Sequence, residues 1–197
     1  MHQSHFFAQL ARMKLINRWS LMRNVFTENI AEHSLQVAMV AHMLAVIEQK
    51  KFRGTTDPST VALAAMYHDV AEVFTGDLPT PVKYQNKHIA AEYKQLEKMA
   101  ENKLVAMLPE EFREDFAPLI SSDHLDPQVH RIVKDADTLC AYIKCRCEIA
   151  AHNSEFDNAA QRLYQQLQER KKNSPAIACF EDLFLDSFTK TLDEISL

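Results

Sequence analysis

At 197 residues, with 47% hydrophobic and 25% charged residues, the chain has the size and make-up of one soluble globular domain spanning positions 1–197. Only two glycines, Gly54 and Gly76, are present, which excludes glycine phosphate cradles, dinucleotide-binding turns and tight β-hairpins and leaves an all-α fold as the expectation. The balance of 22 Lys and Arg against 27 Asp and Glu, net charge −5, offers no electrostatic footprint for polymeric nucleic acid. The N-terminus has no basic-then-apolar signal pattern and no run approaches the roughly eighteen apolar residues of a membrane span, so a cytoplasmic protein without a membrane partner is expected. Cys140, Cys145, Cys147 and Cys179 follow neither a disulfide framework nor a zinc knuckle and are read as reduced thiols.

Apolar residues at helical spacing predict a first helix from Gln3 to about Lys14. The polar stretch from Leu15 to Thr27 follows, with the only tryptophan, Trp19, next to Arg18. Asn29 with Glu32 three residues later reads as a capping box opening a second helix that runs to about Lys50. At 100° per residue, Ile30, Val37, Val40, Leu44 and Ile47 all fall within about 60° of His33, which puts this histidine on a buried apolar face. Leu35, Met39, Met43 and Val46 make the opposite face apolar too, so the helix is expected to be wrapped on most sides. A histidine so placed must be hydrogen-bonded or metal-bound, because an unpaired buried polar group costs about 2 kcal/mol or more.

Asp57-Pro58 is an N-cap with proline at the first helical position, and Val61, Ala64, Ala65 and His68 continue one face of the helix it opens. The densest chemistry lies in Tyr67 to Pro81, YHDVAEVFTGDLPTP. His68 and Asp69 offer an imidazole and a carboxylate to an ion, and Glu72 comes three and four residues later, on the same side of a helical turn. Gly76 breaks the helical run. Asp77, Leu78, Pro79, Thr80 and Pro81 are then expected to be extended, each proline biasing its predecessor away from the helical region, in a stiff loop placed where binding residues usually sit.

A long helix from about Asn86 to Met107 follows, then a restart at Pro109 and a short helix ending near Ser121. Asp126-Pro127 repeats the cap-and-proline start and opens a helix to about Ala151. Asp135 and Asp137 lie at opposite edges of its apolar stripe, and periodicity does not choose between them. Two further amphipathic helices, Glu155 to Asn173 and Ser174 to about Ile195, complete the chain.

Two histidines and one or two aspartates from separate helices make an N2O2 ligand set that suits Mn, Fe, Co, Ni or Zn and leaves positions for water and substrate. Such an ion can bring the pKa of water toward ~7, as phosphate-ester hydrolysis requires. That reaction needs up to ~10²¹-fold acceleration, so a proton-transfer group and a cation on the phosphate are also called for. Glu72 and Arg18 are the candidates.

His33, the pair His68-Asp69 and the distant Asp137 match the H…HD…D pattern of the HD-domain metal-dependent phosphohydrolases. More specifically, INRW at Ile16 to Trp19, ENIAEHSLQVAMVAH at Glu28 to His42, HDVAEVFTGDLPTPVKY at His68 to Tyr84 and KDADTLCAYIKC at Lys134 to Cys145 resemble, in order, the bacterial 5'-deoxynucleotidases of that family. The resemblance implies an all-α HD-domain helical bundle, a homodimer, and one divalent ion per chain, Co or Mn, on His33, His68, Asp69 and Asp137. It implies hydrolysis of deoxyribonucleoside 5'-monophosphates by an ion-activated water. Asp69 and Glu72 serve catalysis, Glu72 as the acid/base, and Arg18 orients the phosphate. Arg18, Trp19, Asp69, Asp77, Leu78, Pro79, Thr80 and Asp137 contact substrate, with Trp19 where a ribose 2'-hydroxyl would lie. Other HD proteins cleave nucleoside triphosphates or cyclic nucleotides, or bind nucleotides without turnover. Glu72 beside a full ligand set argues against the inert module, and the lack of glycine and of a basic cluster argues against a polyphosphate cradle.

Overall fold

Local capping signals set the frame. In the computed structural model, which describes residues 3–83, 86–121 and 123–196 but not the side chains of Thr80 and Pro81, the Asn29 side chain accepts from the Glu32 N–H at 3.0 Å and the Glu32 carboxylate accepts from the Asn29 N–H at 3.2 Å. This box opens α2 (Ile30–Phe52). The Asp57 carboxylate caps α3 (Pro58–Tyr67) through the Thr60 N–H at 2.8 Å, and Asp126 caps α8 (Pro127–Ala150) through the Gln128 and Val129 N–H groups. Proline stands at the start of both helices, where no intrahelical donor is lost.

Chain order is α1 (Phe6–Leu10), α2, α3, α4 (Glu72–Thr75), α5 (Thr80–Lys83), α6 (Lys87–Ala106), α7 (Glu110–Ile120), α8, α9 (Asp157–Lys171), α10 (Pro175–Phe184) and α11 (Leu192–Ile195). Short 3₁₀ turns lie between some of these helices, and the described residues contain no strand, only an isolated antiparallel bridge between Asn17 and Asn29. The all-α expectation holds.

Helix α2 is the axis of the bundle. It packs on α3, α8 and α10, and Ala41 and Ala45 of α2 share a core with Ala64 and Ala65 of α3, small side chains that let the two helices approach closely. That core also takes in Leu44, Ile132, Ala136, Leu139, Ile177 and Phe180. Truncating a fully buried leucine such as Leu44 or Leu139 to alanine would cost about 2–5 kcal/mol. A second apolar cluster joins Phe6, Ile30, Val70, Leu104 and Ile120. His33 lies between Ile30 of the second cluster and Val37 of the first, and His68-Asp69 lie between Ala65 of the first and Val70 of the second. The candidate ligands therefore line the seam where two cores meet.

Several expectations need correction. The first helix is a single short stretch, Phe6–Leu10, followed by a 3₁₀ turn at Met13–Leu15. Helix α2 is not wrapped on most sides: Leu35 and Met39 are 51% and 61% exposed, because α3, α8 and α10 cover the face carrying His33 and its neighbours. By length and composition α2 is also apolar enough to cross a membrane, yet it is the central helix of this bundle, with Glu48 and His33 buried on it. The loop after Gly76 is not extended throughout, since Thr80–Lys83 form a helical turn whose Val82 and Lys83 N–H groups donate to the Pro79 carbonyl at 2.8 and 3.0 Å. Pro81 fits there because the first turn of a helix needs no donor from it. The last expected helix is broken: α10 stops at Phe184 and Thr191 starts α11 with its own capping box. Cys140, Cys145, Cys147 and Cys179 are free, as expected.

Candidate metal centre and substrate pocket

Helix α3 ends at Tyr67, so His68 caps it and Asp69 sits in the following turn rather than on the helix face. The His68 Nδ1–H donates to the Ala65 carbonyl at 2.6 Å, which leaves the lone pair on Nε2. This Nε2 is buried, has no hydrogen bond among the described residues, and faces the Asp69 Oδ2 at 3.0 Å. Two lone-pair atoms aimed at each other across 3.0 Å suit a cation between them. The ligand atoms of His33, His68 and Asp69 lie within 4.8 Å of one another. Asp137 joins from α8, its Oδ1 being 3.1 Å from the His33 Nε2. His33, His68 and Asp69 thus fit a divalent ion, and Asp137, against the His33 Nε2, is the candidate fourth ligand.

The electrostatics follow from burial and neighbours. Burial alone would push Asp69 up, but the His68 and His33 rings beside it hold its carboxyl well below the usual carboxylate range. Asp137 is likewise raised by burial and lowered, on balance, by Lys134, His33 and His68. Glu72 behaves in the opposite way. Burial, then the like charges of Asp69 and Asp77, push it up to about 9, and its Oε2 has no partner. Burial and its acidic neighbours thus favour the protonated form of Glu72.

Two segments wall the remaining side. The chain from Ile16 to Arg18 is laced to the entry of α2: the Arg18 N–H donates to the Glu28 carbonyl at 2.9 Å and the Ile30 N–H to the Ile16 carbonyl at 3.0 Å. This brings the Arg18 guanidinium, 13% exposed, to 2.8 Å from the His33 Nδ1. Trp19 has φ 57, unusual for a bulky residue, packs its ring on Phe156 at 5.5 Å, and keeps a buried Nε1 with no acceptor. Opposite, Gly76 adopts φ 70 and ψ 169, a region open essentially to glycine alone, and Tyr93 on α6 ties the turn down through the Gly76 carbonyl at 3.1 Å. Asp77 follows, facing the Trp19 backbone N–H and raised by burial. Leu78 and Pro79 are half-buried beyond it; the Thr80 side chain lies outside the described residues.

The structure therefore gathers His33, His68, Asp69, Glu72, Asp137, Arg18, Trp19 and Asp77 at one seam. Two supports escaped the sequence. Glu28 holds Arg18 at 2.9 Å and lies 3.6 Å from the His33 Nδ1. Glu148, fully buried on α8, accepts from the Val25 and Phe26 N–H groups at 2.9 Å each and pairs with Lys144, anchoring the segment that carries Arg18 and Trp19. An acid at the threshold of a capped helix was the one visible sign of Glu28. Nothing in the periodicity of α8 distinguished Glu148 from a solvated glutamate.

Comparison with known proteins bears on this geometry. A sequence model of YfbR-like 5'-deoxynucleotidases matches residues 5–188. A 5'-deoxynucleotidase from Vibrio parahaemolyticus is 59% identical over 196 residues, covering 100% of both chains. The 5'-deoxynucleotidase YfbR of Escherichia coli is 57% identical over 196 residues, covering 100% of this chain and 98% of its own. Among solved structures, an HD-domain phosphohydrolase from Listeria innocua superposes with a TM-score of 0.82 over 98% of this chain and 92% of its own, at 18% identity. The HD phosphohydrolase DatZ of a cyanophage, seen with dA and one catalytic Zn²⁺ ion, superposes with a TM-score of 0.64 over 93% of this chain and 96% of its own, at 21% identity. The distant structures establish the HD fold, and the family match with its full-length relatives goes further: this chain belongs to the YfbR-like 5'-deoxynucleotidase family.

Proposed function

We propose that the chain is a metal-dependent phosphomonoesterase that removes the 5'-phosphate from deoxyribonucleoside 5'-monophosphates. The observation that carries this is the buried, unbonded His68 Nε2 facing the Asp69 carboxylate within reach of His33 and, through it, Asp137. His33, His68, Asp69 and Asp137 would hold one divalent ion, cobalt or manganese as the family resemblance implies, with zinc also compatible with the donor set. When bound, the ion supplies water activation and charge neutralisation at the phosphate.

The chain's own residues do the rest. Arg18, buried and fixed by Glu28, meets the phosphate as a preoriented guanidinium. Glu72, kept protonated by burial, gives its proton to the departing 5'-oxygen as the P–O bond breaks and the water oxygen bonds to phosphorus; its carboxylate then receives the proton that the water has lost. Trp19 and the turn from Asp77 to Thr80 hold the sugar, and the Trp19 ring crowds the position of a 2'-hydroxyl. A homodimer in the cytoplasm remains the setting expected for this activity, and sedimentation of the purified protein tests the dimer.

Purified protein loaded with cobalt or manganese, tested for phosphate release from deoxy- and ribonucleoside 5'-monophosphates, 3'-monophosphates and triphosphates, checks the activity. Turnover confined to deoxy 5'-monophosphates is expected. Preference for triphosphates, or no release from any substrate, contradicts it.

A further inference from the structure

We propose that Glu28 is a positioning residue that serves both halves of the centre at once, accepting the Nδ1 proton of ion-ligating His33 and holding Arg18 for the phosphate. It rests on the metal-binding reading of His33 given above. The ring of His33 has no exposure, and its Nε2 faces the site, 3.1 Å from Asp137 and 3.7 Å from Asp69. A neutral imidazole that gives its Nε2 lone pair to an ion must carry its proton on Nδ1, and that proton needs an acceptor in a place water does not reach.

Two groups face Nδ1. One is the Arg18 guanidinium at 2.8 Å, which can only donate. The other is the Glu28 carboxylate, whose Oε1 is 3.6 Å away and whose Oε2 already accepts from Arg18 at 2.9 Å. In the geometry seen here Arg18 donates to Nδ1, which fits a proton on Nε2 shared with Asp137. That arrangement and ion ligation through Nε2 exclude each other on one neutral ring. With Nε2 given to an ion, the His33 proton would sit on Nδ1 facing the Glu28 Oε1, and Arg18 would give up its contact with the ring while keeping its pair with Glu28. Because the same carboxylate pairs with Arg18, the displaced guanidinium stays tethered beside the site. Glu28 is itself placed for this by the backbone bridge between residues 17 and 29, and is only 12% exposed.

The test compares wild type, Glu28→Ala and Glu28→Gln by zinc competition against a chelator, with thermal unfolding of the zinc-free proteins as a control of folding. Wild type is expected to bind one zinc per chain. Glu28→Ala should bind it about 10–100-fold more weakly, the usual effect of removing the partner of a ligating histidine. Glu28→Gln keeps a neutral acceptor, should recover part of that loss, and carries the test if the alanine variant does not fold. Nitrogen-15 spectra of zinc-loaded wild type should show a slowly exchanging Nδ1 proton on His33 that the alanine variant lacks. For turnover of a deoxyribonucleoside monophosphate at saturating zinc, KM should rise more than kcat falls. Equal zinc affinity in all three proteins, or an unchanged His33 signal, overturns the role of Glu28. Wild type that binds no zinc, cobalt or manganese overturns the metal reading itself.

Discussion

Asp135 and Asp137 stand two residues apart on α8, and their surroundings are opposite in kind. Asp135, with its side chain 2% exposed, receives the Arg131 guanidinium at 3.2 Å and that of Arg170 at 2.9 Å, and Arg131 goes on to Glu48 at 2.8 Å and Ser174 at 3.1 Å. Each charge in that network is answered by an opposite charge or a hydrogen bond, and the network clamps α2, α8, α9 and the start of α10 together. Asp137, 25% exposed, has no arginine partner among the described residues; it faces the His33 ring at 3.1 Å and the half-exposed Lys134 at 3.6 Å, and shares its space with the like charge of Asp69. Two residues on a helix amount to about 200° of rotation, so one side chain enters the arginine clamp and the other faces the seam beside His33 and Asp69. The proposed ion ligand is the aspartate at the seam, and the clamp is proposed to serve stability.

The largest expected effect comes from the seam. Asp137→Ala should remove turnover by far more than the ~10–100-fold that loss of a supporting residue costs, with unfolding temperature little changed in the metal-free state. Asp135→Ala should do the reverse, keeping turnover per folded molecule while losing roughly 2 kcal/mol of stability, because Arg131 and Arg170 lose a buried partner but keep partial access to water. Urea unfolding read beside phosphate release separates the two outcomes.

Glu72→Gln comes next. It should retain metal and substrate affinity yet lower kcat about 10²–10⁴-fold, and near-normal kcat would remove its proton-transfer role. Gly76→Ala is expected to be smaller. No atom lies within reach of an added Cβ, so the strain is in the backbone, roughly 1–3 kcal/mol, and should appear as a raised KM through displacement of Asp77.

The smallest expected effect on turnover, though not on stability, sharpens the same contrast further along α8. Burial raises the Glu148 carboxyl, but Lys144, Asn153 and the Val25 and Phe26 N–H groups outweigh this and hold it down to about 2, from an ordinary 4.5. A carboxylate lowered on folding stabilises fully above its unfolded value, so this contribution should be lost as pH falls from 4.5 toward about 2. Glu148→Gln should flatten stability over that window, and an unchanged acid transition would deny Glu148 its anchoring role.

What the sequence made legible was what depends on neighbours along the chain. The Asn29–Glu32 box, the Asp-Pro starts at 57 and 126 and the break at Gly76 all occur as expected, because a cap is satisfied within three or four residues. His33 on the buried face of α2 was legible for the same reason. The exposed face of α2 was not, since apolar periodicity reports which sides can be buried and not how many helices arrive to bury them. Nor were Glu28 and Glu148, whose partners lie across the bundle or on another segment. The choice of Asp137 over Asp135 needed family resemblance at the level of sequence; in three dimensions it is supported by the Arg131 and Arg170 guanidinium groups, which reach Asp135 and leave Asp137 beside His33.

The seam, and not the clamp, is the proposed seat of the ion. Metal content per chain after cobalt loading and desalting, measured on wild type, Asp137→Ala and Asp135→Ala, tests this most directly. One cobalt in wild type and in Asp135→Ala, with almost none in Asp137→Ala, is the predicted result; cobalt retained in Asp137→Ala and lost from Asp135→Ala would contradict it.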